Sequence, residues 1–333
     1  MMYKLMAMIH TYLFFGASTT LYLPLYYVFN MVNKSINDYF LNTISSIAIK
    51  NTGYFLTNIA NYNIIIYGDT VDKSITNNLF LPNHRSHLDF YLILNLMSYF
   101  GCSCTLKFIA VKFLKYIPFM RNCMLFKKCI LIESDRQKSY EQNISIIKSL
   151  AKDMCSLVIY PEGRVYREIY YKESIDYCDE HNLKRLTNVV LPRYKGLYTL
   201  LTHSSFGKIY DLTVRYDNTV VSKPFSFSDY INGKSNNMHI YIKEIQLKDI
   251  PLDDQNIFKE WLYDLYYTKD KLLDQSIEYW KEDIVERVDN SNDIGYFIAS
   301  TVSIFLWFYF MITNTNFFLY NIASVCLAYS MPL

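Results

Sequence analysis

Hydrophobic positions are massed at the two ends of the chain and broken into short periodic runs between them. From Leu5 to Val32 there is no Asp, Glu, Lys or Arg, and Lys4 and Lys34 flank the run. A stretch of this length predicts a membrane-spanning helix or a re-entrant helical pair. Ser18-Thr19-Thr20 and Pro24 mark where it would kink or turn. A cleaved signal peptide is disfavoured, because the apolar region is too long and no small-residue cleavage site follows it. Near the other end, residues 295–312 and 316–331 carry no charge and are separated by Thr313-Asn314-Thr315. Two such segments with a short polar connection predict a helical hairpin in the membrane.

Between the ends, β-type runs alternate with helical patterns. The predicted strands are 63–67, 79–82, 106–110, 129–132, 157–160, 189–191, 210–216 and 238–245. The predicted helices are 86–99, 138–152, 196–202, 256–267 and 269–287. Such alternation predicts an α/β fold with a mixed, mostly parallel sheet and flanking helices, plus N-terminal and C-terminal membrane helices. The expected organisation is an N-terminal membrane segment (1–34), one central domain (35–293) and a C-terminal membrane hairpin (294–333).

The seven Cys form no C-x-x-C pair and no even framework, which implies reduced thiols in a cytosol-facing domain. The net charge of +2 conceals an asymmetry. Between Thr105 and Ile132 there are six Lys/Arg and no acidic residue, with Phe108, Phe113, Leu114, Ile117, Phe119 and Met120 interleaved. That pattern suits anionic lipid head groups. Nucleic acid is excluded as a partner by the near-neutral balance and the apolar ends.

Candidate chemistry begins at Asn83-His84-Arg85-Ser86-His87-Leu88-Asp89, directly after the predicted strand 79–82. A neutral His oriented by a carboxylate removes a proton from an alcohol near neutral pH. Ser86 and Asp89 also fit a helix capping box. The two readings are compatible if the chain folds His84 back over the first turn, since residues five apart on a straight helix do not share a face. His84 and His87 have the spacing of a metal pair, but no third ligand lies near, so no metal site is expected. A second run, Val158-Ile159-Tyr160-Pro161-Glu162-Gly163-Arg164, places a carboxylate at another predicted strand end. In open α/β sheets, ligands bind outside the carboxyl ends of strands.

Together the two runs resemble the first and third sequence blocks, N-H-x-x-x-x-D and F-P-E-G-T, of the glycerolipid acyltransferase family. The likeness is nearest to the branch of lysophosphatidate and lysocardiolipin acyltransferases. Lys112 to Pro118 is similar to that branch's lysine-rich second block, and Leu191-Pro192-Arg193-Tyr194-Lys195-Gly196 to its fourth. Tyr210-Asp211-Leu212-Thr213, Trp261-Leu262 and Lys269-Asp270-Lys271-Leu272-Leu273 resemble later landmarks. The chain departs from the pattern at Arg164, where Thr is usual, at Ser134, where Arg is usual, and before Pro192, where His is usual.

The resemblance implies a membrane-bound, acyl-CoA-dependent O-acyltransferase acting on the free hydroxyl of a lysophospholipid. The first expected acceptor is 1-acyl-sn-glycerol-3-phosphate, giving phosphatidic acid. The alternatives are another acceptor (lysophosphatidylinositol, lysocardiolipin, glycerol-3-phosphate) or a decayed lipid-binding protein. On this reading His84 is the general base and Asp89 its orienting partner. Asn83, Arg85, Lys115, Lys127, Lys128, Arg136, Glu162, Gly163, Arg164 and Arg193 are the substrate-binding candidates. Acyl-CoA is a co-substrate and no bound cofactor is expected. The expected partners are these substrates and a lipid bilayer, with the endoplasmic reticulum and a cytosol-facing catalytic domain as the implied setting.

Overall fold

A computed structural model describes residues 2–75, 77–86, 88–102, 106–111, 116, 130–132, 140–150, 155–217, 226–232, 234–280, 284–317 and 319–320. The chain divides into two compact units. One comprises Tyr62–Ile93 and Glu141–Val288, the other Met2–Asn61, Leu94–Tyr140 and Asp289–Leu333.

The first unit is built on a sheet whose strands are β1 (Asn63–Gly68), β2 (Leu79–Pro82), β5 (Leu157–Val158), β6 (Ile209–Tyr216), β7 (Asn237–Ile245) and β8 (Ile284–Arg287). Their order is β5-β2-β6-β7-β1-β8. The β2–β5, β2–β6 and β1–β7 pairings are parallel, while β6–β7 and β1–β8 are antiparallel. The sheet is therefore mixed and mostly parallel, with helices beside it. β2 is buried at all four positions and β6 at seven of eight. A strand covered on both faces reads as a continuous apolar run, as β2 does, whereas β6 buries the polar Asp211 and Thr213 among its apolar residues.

Helices α4 (Tyr140–Leu150), α5 (Glu168–Glu180), α6 (Tyr194–His203), α7 (Phe227–Ile231), α8 (Gln255–Asp274) and α9 (Ile277–Trp280) accompany these strands; α3 (Asp89–Tyr99) starts in this unit. Two expectations fail here. Residues 189–191 are not a strand: the Leu191 amide donates to the Ser174 hydroxyl at 3.0 Å, and the neighbouring Asn188 carbonyl accepts from Arg85. Side chains satisfy this backbone, so it needs no ladder. Residues 269–287 are not one helix. α8 runs without a break through 255–274 and stops where Arg215 Nη1 donates to the carbonyls of Leu273 (3.2 Å) and Gln275 (2.5 Å). A cation there satisfies the helix's last acceptors. The released chain then adds β8 antiparallel to β1.

The second unit contains α1 (Met2–Val32), α2 (Lys34–Tyr54), a π-helical turn (Phe55–Ile59), α10 (Ile294–Thr313) and the parallel pair β3 (Lys107–Val111) and β4 (Ile130–Ile132). α1 is one continuous helix through Pro24 rather than a re-entrant pair. The turn falls at Asn33, which is extended and accepts the amides of Ser35 and Ile36 on its side chain. Phe14 and Ala17 of α1, Ala48 of α2 and Ile304 of α10 form one buried cluster. Hydrogen bonds join His10 to Thr301, Thr11 to Thr52 and Ser300 to Asn51.

Among the described residues one helix, Ser291–Thr313, is long and apolar enough to cross a membrane. Its 23 residues extend about 35 Å at ~1.5 Å per residue, and a hydrocarbon core is about 30 Å thick. Phe305, Tyr309 and Ile312 are exposed on it. α1 does not meet the same length-and-composition test. Most of the second leg of the expected hairpin lies outside the described residues, as does most of the basic segment.

Candidate active site

β2 ends at Pro82, and Asn83 ties the chain that follows to β6. The Asn83 side-chain amide donates to the Val214 carbonyl at 3.1 Å, and its oxygen accepts the Val214 amide at 2.6 Å. Asn83 is wholly buried. The structure thus gives this predicted substrate ligand a protein partner, and its work is to register the loop against the sheet.

The loop then bends back before α3. Ser86 donates its amide to Asp89 Oδ2 at 2.8 Å, and Leu88 donates to Ser86 Oγ at 3.0 Å. These are capping contacts. The same Asp89 Oδ2 lies 2.9 Å from His84 Nδ1, so cap and His–Asp pair occupy one turn. A carboxylate only accepts, so the proton sits on Nδ1 and Nε2 carries the lone pair. Among the described residues no group bonds Nε2. The His84 side chain is 17% exposed and that of Asp89 is 0% exposed. The imidazole stacks on Tyr160 with ring centres 4.1 Å apart.

The second motif grips the His84 backbone from both sides. Glu162 Oε1 accepts the His84 amide at 3.0 Å, and the Tyr166 amide donates to the His84 carbonyl at 2.8 Å. Glu162 is buried, and loss of water pushes its pKa up to about 8. It therefore holds its proton near neutral pH, which suits a carboxyl group buried beside Asp89. Gly163 makes the turn after it. Its φ of +66° lies in the left-handed region, and an added Cβ would stand 3.3 Å from Arg193 Nη1. The backbone angle strains any side chain there, while the exposed Arg193 can move aside.

The predicted cations separate. Arg85 is buried rather than facing solvent: it donates to the Asn188 carbonyl at 2.5 Å and lies over the Tyr166 ring. Its structural partners place it as a strut between the His84 loop and the segment before α6. Arg193 is exposed, and its amide donates to the Pro161 carbonyl at 2.8 Å. Arg164 is partly exposed, pairs with Glu173 at 2.7 Å and lies over the Tyr170 ring. Lys115, Lys127, Lys128 and Arg136 lie outside the described residues.

Sequence reasoning missed the supports beneath the pair. Lys269 of α8 is buried, forms an ion pair with Asp211 of β6 at 2.7 Å, and donates to the carbonyls of Leu81 (3.1 Å) and Leu212 (2.7 Å). It thereby clamps β2 to β6 just before Asn83. Asp270, beside it, accepts the amides of Thr187 (3.0 Å) and Asn188 (2.6 Å). The Tyr-Asp and Lys-Asp runs stand 58 residues apart at Asp211 and Lys269, and nothing in their spacing signals that they meet. Tyr216, at the end of β6, donates its hydroxyl to Asp89 Oδ1.

Comparison with known proteins places the chain among the acyltransferases. The Acyltransferase family matches residues 63–217, and the Acyltransferase C-terminus family matches residues 229–289. An uncharacterized acyltransferase of Schizosaccharomyces pombe is 27% identical over 215 residues, covering 60% of each chain. A probable 1-acyl-sn-glycerol-3-phosphate acyltransferase 5 of Arabidopsis thaliana is 30% identical over 201 residues, 59% of this chain and 52% of that one. The 1-acyl-sn-glycerol-3-phosphate acyltransferase delta of Homo sapiens is 27% identical over 205 residues, 60% of this chain and 53% of that one. The matched region thus spans only about half to three-fifths of these relatives. A crystal structure of a 1-acyl-sn-glycerophosphate acyltransferase of Thermotoga maritima aligns with a TM-score of 0.46 at 12% identity, covering 82% of this chain and 99% of that one.

Proposed function

Since the chain belongs to the glycerolipid acyltransferase family, we propose that it transfers a fatty acyl group from acyl-CoA to the free hydroxyl of a lysophospholipid, with 1-acyl-sn-glycerol-3-phosphate as the acceptor. The observation that carries the reading is the buried Asp89 carboxylate on His84 Nδ1, which leaves Nε2 as the base. Nε2 removes the proton of the acceptor hydroxyl as its oxygen attacks the thioester carbonyl. Asp89 stabilises the imidazolium that forms, as in a serine-hydrolase triad without the serine. The tetrahedral intermediate then collapses, the C–S bond breaks, and the imidazolium returns the proton to the departing thiolate. Coenzyme A is already a good leaving group, so no covalent enzyme intermediate is required.

The acceptor assignment draws its support from the relatives named as 1-acyl-sn-glycerol-3-phosphate acyltransferases. A lysophospholipid panel with radiolabelled acyl-CoA and purified protein tests it. Lysophosphatidate is expected to give the highest kcat/KM, and preference for another head group would reassign the acceptor. Arg164 is our candidate for the acceptor phosphate. Its ion pair with Glu173 is solvent-facing, and exposed pairs contribute at most about 1 kcal/mol. A phosphate dianion therefore displaces Glu173 at small cost and gains a charge-assisted fork. Arg164→Ala is expected to raise the acceptor KM about tenfold with little change in the acyl-CoA KM, the mark of a ground-state contact. A change confined to the acyl-CoA KM would place Arg164 on the donor.

Membrane attachment completes the proposal. An amphiphilic acceptor must present its head to His84 while its tail stays in lipid. We assign the attachment to α10 and the exposed apolar side chains of α1, among them Leu5, Ile9, Leu25 and Val28. Removal of residues 295–333 is expected to weaken vesicle binding without abolishing it. Unchanged binding would exclude α10 as an anchor.

A further inference from the structure

Asp89 is buried with no exposed side-chain surface, and its charge needs donors. It has three. His84 Nδ1 and the Ser86 amide both address Oδ2, while the Tyr216 hydroxyl alone among the described residues is seen on Oδ1. Tyr216 is itself 2% exposed. Burial beside Asp89 pushes its pKa well above the usual tyrosine value, so its hydroxyl remains a donor at any working pH. Its position is set by the strand. Two residues upstream, Val214 exchanges two hydrogen bonds with Asn83, which precedes His84. The strand carrying Tyr216 and the loop carrying His84 are therefore locked in one register. The other titratable or charged groups around Asp89 are Arg85, Tyr160, Glu162 and Tyr62.

We propose that Tyr216 is a positioning residue for the His84–Asp89 pair, acting on the imidazole only through the carboxylate. With Oδ1 held by the hydroxyl, the carboxylate cannot rotate, and Oδ2 is presented to Nδ1 and the Ser86 amide. This inference rests on the general-base reading of His84.

Tyr216→Phe tests it in the full-length protein in detergent. The kcat is expected to fall about ten- to a hundredfold, the effect of removing one hydrogen bond to a charged group. Both KM values should stay within about twofold, because the residue touches neither substrate. The acidic limb of the kcat/KM profile should move up by about half to one pH unit. Loss of a donor leaves more negative charge on the carboxylate, which favours the protonated pair and sets the sign. Fluorotyrosine at 216 keeps the ring and strengthens donation, so it should move that limb down.

A limb unmoved in both forms, with only the melting temperature lowered, would show a merely structural side chain and overturn the inference. If Tyr216→Phe does not fold, the fluorotyrosine form decides by the same criterion. His84→Ala run in parallel separates the two levels. An active His84→Ala protein overturns the general-base reading itself. An inactive one beside a Tyr216→Phe protein of normal kcat and normal pH profile overturns the role of Tyr216 alone.

Discussion

His84→Ala is expected to lower kcat by about 10²–10⁴, the usual contribution of a positioned general base. The fold should survive, because the imidazole is partly exposed and the loop is held by backbone contacts to Glu162 and Tyr166. Asp89→Asn should fall in the same range. Its amide oxygen can still accept from the Ser86 amide, which preserves the cap, but the charge that stabilises the imidazolium is gone. Acyl transfer measured with radiolabelled donor, beside circular dichroism for folding, checks both variants. Near-normal turnover in either would remove the pair from the reaction.

The second large effect falls on stability. Lys269→Ala leaves the Asp211 carboxyl without its partner in the interior and strips the Leu81 and Leu212 carbonyls of their donor. Breaking a buried pair from one side costs about 3–5 kcal/mol, against a total stability of about 5–15 kcal/mol for a typical domain. Burial already raises the Asp211 pKa, and without the ammonium the carboxyl would take up a proton rather than stay charged. Lys269→Met combined with Asp211→Leu should recover much of the loss, because a packed apolar pair avoids desolvating two charges. Urea denaturation followed by fluorescence reads both variants. A Lys269→Ala protein as stable as its parent would show that the clamp on β2 and β6 is not needed.

The sequence by itself determined what depends on near neighbours. A continuous apolar run marked β2 because a strand buried on both faces has no polar alternation to confuse it. The five-residue spacing of His84 and Asp89 required a bend, and the bend is present, produced by the Ser86 cap that the same residues encode. The uncharged stretch before Thr313 marked α10 by length alone.

What only the tertiary structure decided depends on groups distant in sequence. Residues 189–191 have strand-like composition, yet the Ser174 hydroxyl and the Arg85 guanidinium satisfy this stretch from elsewhere. Residues 284–287 continue a helical pattern, yet the free edge of β1 offers them a ladder. Arg85 and Asn83 look like ligands beside a catalytic His. Burial turns both inward, since a polar group without water must find protein partners. Tyr216 and Lys269 carry no local signal for their roles. Those roles arise because a folded sheet brings β6 beside β2 and leaves Asp89 and Asp211 in a dry interior, where a carboxylate persists only with donors that the rest of the chain supplies.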